Sequence, residues 1–370
     1  MLFRSGVGPR VFLQYQPIGG TLGRSEIREM EIRLGRNAMT AYGQAKLPVT
    51  LLVERVPWWE EGRVQIPLTN SNAANNTSGL TVWMRAAAHA GQDNWATIGA
   101  GVVGGVLPAP LEIWMSNLSG AARAYDNFYI ANNTFAPTLQ HFIEGENYTS
   151  GGGTVVASSE YSNGNYLRLT GTNIYATWTL PAPLLAATAG RYMRIMARFA
   201  SYTTTPQVYV RAEIRDYYGV VTLARTPYEV ALGPEDGNIA DLGLLPLPPG
   251  GYSNAWAQNT LALFFRCASP ATVELDYLQL TPADELCWRW LEQRGMSVAA
   301  NDWIVDDGIE GLQYLIEGGA NHPIFTEHTP PLHVFPGVAQ RLYFLHDGPD
   351  TSANWKLSVK AFYRPRRLTI

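Results

Sequence analysis

The first stretch whose spacing could do chemistry is Gly99-Ala-Gly101-Val-Val-Gly104. It matches GxGxxG, whose glycines let a backbone approach a pyrophosphate at a helix N-terminus. Pro108 and Pro110 follow too closely for the required helix, so the stretch reads as a glycine-rich β loop. No GxSxG, HExxH or CxxC occurs. Four of the six histidines (His322, His328, His333 and His346) are separated by 6, 5 and 13 residues, which matches no compact metal motif. Asp306-Asp307 before Gly308 suits a turn first and a cation second. Glu60, Glu61, Asp306 and Asp307 are available as the paired carboxylates of glycoside hydrolysis, yet nothing in the sequence sets them across a cleft. No catalytic residue is assigned.

Aromatic side chains offer a different chemistry, because an apolar ring with a polar rim suits a saccharide. Residues 140–282 carry Tyr161, Tyr166, Tyr175, Trp178, Tyr202, Tyr217, Tyr218, Tyr252 and Trp256. Trp178, in Ala176-Thr-Trp-Thr, reads as a strand residue in the core. Tyr202, Tyr217, Tyr218, Tyr252 and Trp256 lie near turn signals and are the carbohydrate-binding candidates, set against a packing or interface role.

The elements that must position these residues are strands. Met193, Ile195, Ala197 and Phe199 alternate with Tyr192, Arg194, Met196 and Arg198, the period of a half-buried strand. Val208, Val210, Ala212 and Ile214 repeat the pattern, as do Leu357, Val359, Ala361 and Tyr363. Val49 to Val53 is uniformly apolar, like a strand covered on both faces. One short helix is expected near 282–294. Thr281 would cap it, Pro282 open it, and Leu286, Cys287, Trp290 and Leu291 would share one face before Gly295. Ile309 to Glu317 fits either helix or strand. The fold class is mainly β.

Composition narrows the partners. Charged residues make up only 16% of the 370 positions and 46% are hydrophobic, which argues against disorder. A net charge of −4 gives no phosphate-neutralising surface, so nucleic acid is not expected as the main ligand. The longest apolar stretch, 98–111, is too short and too rich in Gly and Pro to span a bilayer. Cys267 and Cys287 read as two reduced thiols, and Met1 to Arg10 has no signal-peptide core. Five glycosylation sequons start at Asn75, Asn76, Asn117, Asn132 and Asn147, and read as Asn-rich loops. Three segments emerge: 1–139, ending in an Asn-rich loop and Pro137; a Gly-, Tyr- and Thr-rich block, 140–282; and 283–370, with a basic tail.

Two family resemblances attach to these segments. His141-Phe-Ile-Glu144-Gly-Glu146-Asn-Tyr148, Ser162-Asn-Gly164-Asn-Tyr166-Leu-Arg-Leu and Val273-Glu-Leu-Asp276-Tyr-Leu-Gln-Leu280 resemble the jelly-roll carbohydrate-binding modules of the family-six type. In that family, acids of the first and last strands hold a structural calcium, so the resemblance implies Glu144, Glu146 and Asp276 as ligands. Between Arg225 and Gly250 a longer, proline-rich segment departs from the family, so the sugar cleft does not carry over.

The flanks are similar to distal-tail or baseplate-hub proteins of long-tailed phages. Arg24-Ser-Glu-Ile27, Leu52-Val-Glu-Arg-Val-Pro-Trp58-Trp59-Glu60, Ile66-Pro-Leu-Thr-Asn70 and Gly105-Val-Leu-Pro-Ala-Pro110 carry that likeness. So do Phe335-Pro-Gly-Val338 and Lys356-Leu-Ser-Val-Lys-Ala-Phe-Tyr-Arg-Pro-Arg366. Together the resemblances imply a non-enzymatic virion protein, a β-sandwich or β-barrel tail scaffold with an inserted jelly roll and no required cofactor beyond that calcium. It would form a homo-oligomeric ring, sixfold or threefold, on the tail tube beside other tail-tip proteins, with the jelly roll contacting host glycan or other virion proteins. The alternative is a free carbohydrate-binding protein or adhesin.

Overall fold

The computed structural model describes residues 3–4, 12–16, 22–34, 38–39, 45–46, 49–71, 78–83, 93–135, 137, 139, 141–159, 161–216, 218, 220–233, 238–248, 259–323, 330–346 and 356–368. Two β-sandwiches stack on one another, giving four sheet layers and three cores between them.

Both ends of the sequence build the first sandwich. Its first layer is an eight-stranded sheet, in which Ala109–Asn117 lies between Trp303–Asp307 and Lys356–Tyr363. Its second layer has four strands, ordered Trp95–Ile98, Gln340–His346, Arg123–Asn133 and Trp288–Val298. Leu111, Ile113, Met115, Phe128, Ile130, Phe344, Val359 and Ala361 are among the side chains filling the space between these layers. In the second layer strands from before residue 134 thus alternate with strands from after residue 287, and in the first an early strand lies between two late ones. Among the described residues this is a sandwich, and no sheet closes into a barrel. A six-stranded sheet built on Gly23–Leu34 adjoins it, tied on by the Leu107–Arg366 bridge and by Arg24, which pairs with Glu310 at 3.1 Å.

Residues 142–282 build the second sandwich from one hydrogen-bonded network of ten strands. Asn165–Thr179 pairs along nearly its whole length with residues 260–275 of Thr260–Pro282, and the two strands serve both of its layers. A bulge between Gly171 and Asn173 marks the bend, where Gly171 adopts a φ of +151° that L side chains rarely reach. On one side of it the pair is flanked by Tyr192–Tyr202 and Gly153–Ala157, forming the third layer. On the other it is flanked by Val208–Arg215 and Ser150–Gly151, forming the fourth. The two predicted alternations supply the core here: Met193, Ile195, Ala197 and Phe199 from the third layer and Val208, Val210, Ala212 and Ile214 from the fourth.

The middle core joins the sandwiches. Tyr129, Ala131, Trp288, Tyr343 and Leu345 of the second layer meet Met196, Ile239 and Tyr277 of the third. This explains why Met196 and Arg198, on the polar side of their strand by alternation, are buried. The Arg198 guanidinium donates to the carbonyl of His346 across the seam.

Two local expectations fail and an open one is settled. The helix near 282–294 is absent: Thr260–Pro282 ends as a strand, Glu285–Cys287 makes one 3-10 turn, and Trp288–Val298 is a strand paired with Arg123–Asn133. The Asp284 carboxylate caps that turn by accepting from the Leu286 N–H at 2.8 Å. The helical reading failed because this strand is buried on both faces, Trp288 entering the middle core and Leu291 the first. Within the described residues the α-helix is Ala182–Thr188, too short to show a clear period. Val49–Arg55 pairs with Gly23–Leu34, and Leu52 is 42% exposed, so the strand is not covered on both faces. The ambiguous stretch resolves into a turn followed by the strand Leu312–Glu317.

Candidate functional site

The stack leaves the outer faces of the first and fourth layers to be compared. Register places the fourth layer's outward side chains in rows. Asn173, Arg266, Tyr209 and Ala231 form one row, and Tyr175, Phe264 and Arg211 the next. Thr177, Ala262, Glu213 and Arg225 form a third, and Thr179, Thr260, Arg215 and Thr222 a fourth. Tyr175 stacks with Phe264 at 5.9 Å and 24°, and is 45% exposed. A nearly parallel aromatic pair on an open sheet is the geometry that receives the apolar face of a sugar ring.

Charged groups surround that pair. The buried Glu213 carboxylate accepts from Arg211 at 2.7 Å, Arg215 at 3.3 Å and the Thr222 hydroxyl at 3.0 Å. Glu229 accepts from Arg266 at 2.6 Å and lies 3.5 Å from Arg211. The Arg215 guanidinium sits 4.4 Å from the Phe264 ring centre, and that of Arg266 5.2 Å from Tyr209. The arginines are therefore held in place by acids while their outer edges face solvent. Tyr175, Phe264, Tyr209 and these arginines were not singled out from the sequence. Only the pairing of distant strands brings them together.

The five aromatic candidates fare differently. Tyr202 is packed against the second sandwich's core, edge-on to Phe199, and its hydroxyl donates to the Gly233 carbonyl at 2.6 Å. That is a packing role, not a binding face. Tyr218 is 79% exposed at a turn in which Asp216 accepts from the Val220 and Val221 N–H groups. Tyr217, Tyr252 and Trp256 lie outside the described residues. Trp178 is a core residue as expected, and its indole N–H donates to the Glu144 and Gly145 carbonyls at 3.0 and 3.2 Å.

Glu144, Glu146 and Asp276 converge on one turn. The Ser162 hydroxyl donates to Glu144 at 2.7 Å, the Ser162 N–H to Asp276 at 2.9 Å, and the Asn163 amide to Glu146 at 2.8 Å. Gly145 makes the Glu-Gly-Glu spacing workable, since a Cβ there would lie 2.4 Å from the Leu275 carbonyl oxygen. One oxygen each of Glu144 and Glu146 is buried with no hydrogen bond. Burial pushes the Glu144 pKa up to about 8, against the Ser162 bond and with help from the Glu146 charge. Burial raises Glu146 as well, against the Asn163 bond. Two buried carboxylate oxygens lacking donors fit a hard cation. Among the described residues no three carboxylate, thiol or imidazole side chains close around a point, so an ion here would take the two glutamates and further oxygens from the backbone or water.

The other candidate acids are engaged structurally. Glu60 binds Arg24 and Arg366, and Glu61 pairs with Arg367. Asp306 is buried against Arg289 at 2.7 Å, and Asp307 caps its turn through the Ile309 and Glu310 N–H groups. Of the late histidines, His333 Nδ1 lies 2.7 Å from the Pro331 carbonyl and burial lowers its pKa, while His328 is outside the described residues. Asn117 and Asn132 are buried, their side-chain amides donating within the first sandwich, which bars sugars from two of the five sequons.

No protein-family model matches the chain, and no curated protein matches it. Solved structures with which it aligns include the C-terminal family-six carbohydrate-binding module of LamC, a marine laminarinase of Zobellia galactanivorans. The identity is 13% and the TM-score 0.24, over 38% of this chain and 97% of that one. Another is the family 11 carbohydrate-binding module of Clostridium thermocellum in complex with a β-1,3-1,4-mixed-linked tetrasaccharide. It has 12% identity and a TM-score of 0.21, over 42% of this chain and 96% of that one. At these scores the alignments decide nothing about function, and the sandwich is described from its own strands.

Proposed function

We propose that this protein is a non-catalytic glycan binder whose site is the outer face of the fourth layer. The observation that carries this is the Tyr175–Phe264 pair, nearly parallel and half open on a sheet face ringed by anchored arginines. Rings stack on the pair, and the polar frame fixes their orientation. Calcium at Glu144 and Glu146 serves as a structural ion that pins the 161–164 turn to the module's first strand. The test is affinity electrophoresis of the full chain against a panel of soluble polysaccharides. Retardation that disappears in Tyr175→Ala supports the proposal. A folded protein that no polysaccharide retards sinks it.

A second reading is favoured by one architectural observation: the two ends of the chain interlace into a single sandwich from which residues 142–282 emerge as an insertion. With the resemblance of the flanks, this supports a phage-tail scaffold displaying the glycan-binding module outward from a ring of six or three copies on the tail tube, within the virion. Solution mass and negative-stain images decide it. Closed rings, alone or templated by tail-tube protein, are the expected result, and a monomer under both conditions removes this reading.

A further inference from the structure

The charge of the fourth layer's outer face is opposite to that of the chain. The whole protein carries −4. Among the described residues the face carries Arg211, Arg215, Arg225 and Arg266 against Glu213 and Glu229, four positive charges less two negative, or +2. The two glutamates are inside the lattice of ion pairs. Glu213 is buried, and Glu229 lies between Arg211 and Arg266. By contrast, the Arg266 side chain is 60% exposed and Arg225 lies exposed on the strand Thr222–Arg225. Glu229 thus positions the Arg266 guanidinium at the exposed surface. Guanidinium forks match carboxylates in a planar, two-bond geometry that lysine cannot supply.

Resting on the glycan-binding reading above, we propose that the ligand is an acidic polysaccharide bearing uronate carboxylates. Its sugar rings lie on Tyr175 and Phe264, and its carboxylates engage Arg266 and Arg225. Tyr175 and Arg225 stand on strands three spacings apart, about 14 Å across the sheet, so the site spans several sugars rather than one. Neutral glycans gain the ring contact alone and leave the outer arginines unused, so the face discriminates by charge as well as by stacking.

The experiment uses the full chain in affinity gels containing polygalacturonate, neutral mixed-linkage β-glucan, or polyglutamate as a sugar-free polyanion. Polygalacturonate should retard it most strongly, and the effect should fade as salt rises from about 0.01 to about 0.15 M, over which the screening length falls from about 30 to about 8 Å. Arg225→Ala and Arg266→Ala should each weaken retention about tenfold, the loss of one charge-assisted contact. Tyr175→Ala should weaken polygalacturonate binding without exposing a charge. The salt series on the unaltered protein needs no variant to fold. Retention by β-glucan alone overturns the acidic ligand and leaves the glycan reading standing. Retention by none of the three polymers, nor by the wider polysaccharide panel, overturns both. Equal retention by polyglutamate, indifferent to Tyr175, marks the face as an ion exchanger and overturns the proposal.

Discussion

The two outermost sheets each carry aromatic rings and cations, and they use them in opposite ways. On the fourth layer, Tyr175 and Phe264 lie nearly parallel, at 24°. On the first, Trp114 meets Trp303 and Phe362 edge-on, at 68° and 67°. There Arg63 sits 3.7 Å above the Phe362 ring and Lys360 5.1 Å from that of Trp303. The buried Glu112 accepts from Arg63 and from the Trp114 indole. Edge-to-face rings offer no continuous flat surface, and cations stand over rings on both sheets, Arg63 over Phe362 here and Arg215 over Phe264 on the fourth layer. Parallel rings leave one side to be filled, and that difference, rather than aromatic content, separates a closed surface from a receptive one.

The seam between the sandwiches is where this comparison is broken most severely. Tyr129 stacks on Trp288 at 5.3 Å and on Trp290 at 6.1 Å. Tyr129→Ala should cost about 3–5 kcal/mol, as for other large core truncations. It should also split a single urea transition into two, read by tryptophan fluorescence and far-UV circular dichroism. One unsplit transition at nearly unchanged midpoint would show that the Tyr129 stack is not what holds the two sandwiches together.

Ion pairs sharpen the contrast next. Arg289 and Asp306 are both buried inside the first sandwich. Arg289→Met leaves a buried carboxylate with only Gln313 beside it, and should cost about 3–5 kcal/mol. Arg211→Met on the fourth layer removes a pair partly open to solvent, where Arg215 and Thr222 still serve Glu213. It should cost at most about 1 kcal/mol. Equal losses in urea denaturation would contradict the view that charges in the first sandwich serve packing and those on the fourth layer face outward.

A smaller effect tests the acidic turn. Glu144 has its folded pKa raised to about 8 from 4.5. The folded state therefore holds a proton that the unfolded chain releases near pH 4.5, so stability is highest below that value and falls as pH rises towards 8. In chelator, the thermal midpoint should decline between about pH 5 and 8, the window those two values bound. Calcium should reverse the decline by binding the ionised pair, raising stability by about 2.7 kcal/mol at a hundredfold excess over its dissociation constant. Glu144→Gln should abolish the calcium effect and leave only the part of the decline that comes from Glu146, whose pKa burial also raises. A midpoint indifferent to calcium would leave the two carboxylates as a proton-sharing packing feature.

Much of the fold is legible where one face of a strand meets a core. Val208 to Ile214 alternates cleanly because the strand lines a single core, Met193 to Phe199 keeps its alternation although Met196 enters the middle core from its other face, and Trp178 declares itself through its strand context. Trp288–Val298 misleads because it serves two cores at once, so its apolar residues show no period of two. The binding face is harder to read. Tyr175 and Phe264 are 89 positions apart in the sequence, and only the register of two long strands sets them side by side. Tyr202 passes as a loop aromatic until its hydroxyl is seen bonded to Gly233. The family resemblance implies Glu144, Glu146 and Asp276, but not the Ser162–Asn163 turn that gathers them.

The smallest expected effect bears most directly on the two outer faces. Lys360→Ala removes the cation beside Trp303, worth about 0.5–1 kcal/mol at a partly exposed site, and should leave retention by polysaccharides unchanged. The loss should instead appear as increased iodide quenching of tryptophan fluorescence. If cation capping alone keeps the first layer from binding sugars, the freed Trp303 ring should gain weak retention. The tilt argues otherwise: with its neighbour turned by 68°, an uncapped ring still has no parallel partner to continue the platform. Retention gained in Lys360→Ala would assign the difference between the faces to the cations. Retention unchanged, with quenching increased, assigns it to the angle between the rings.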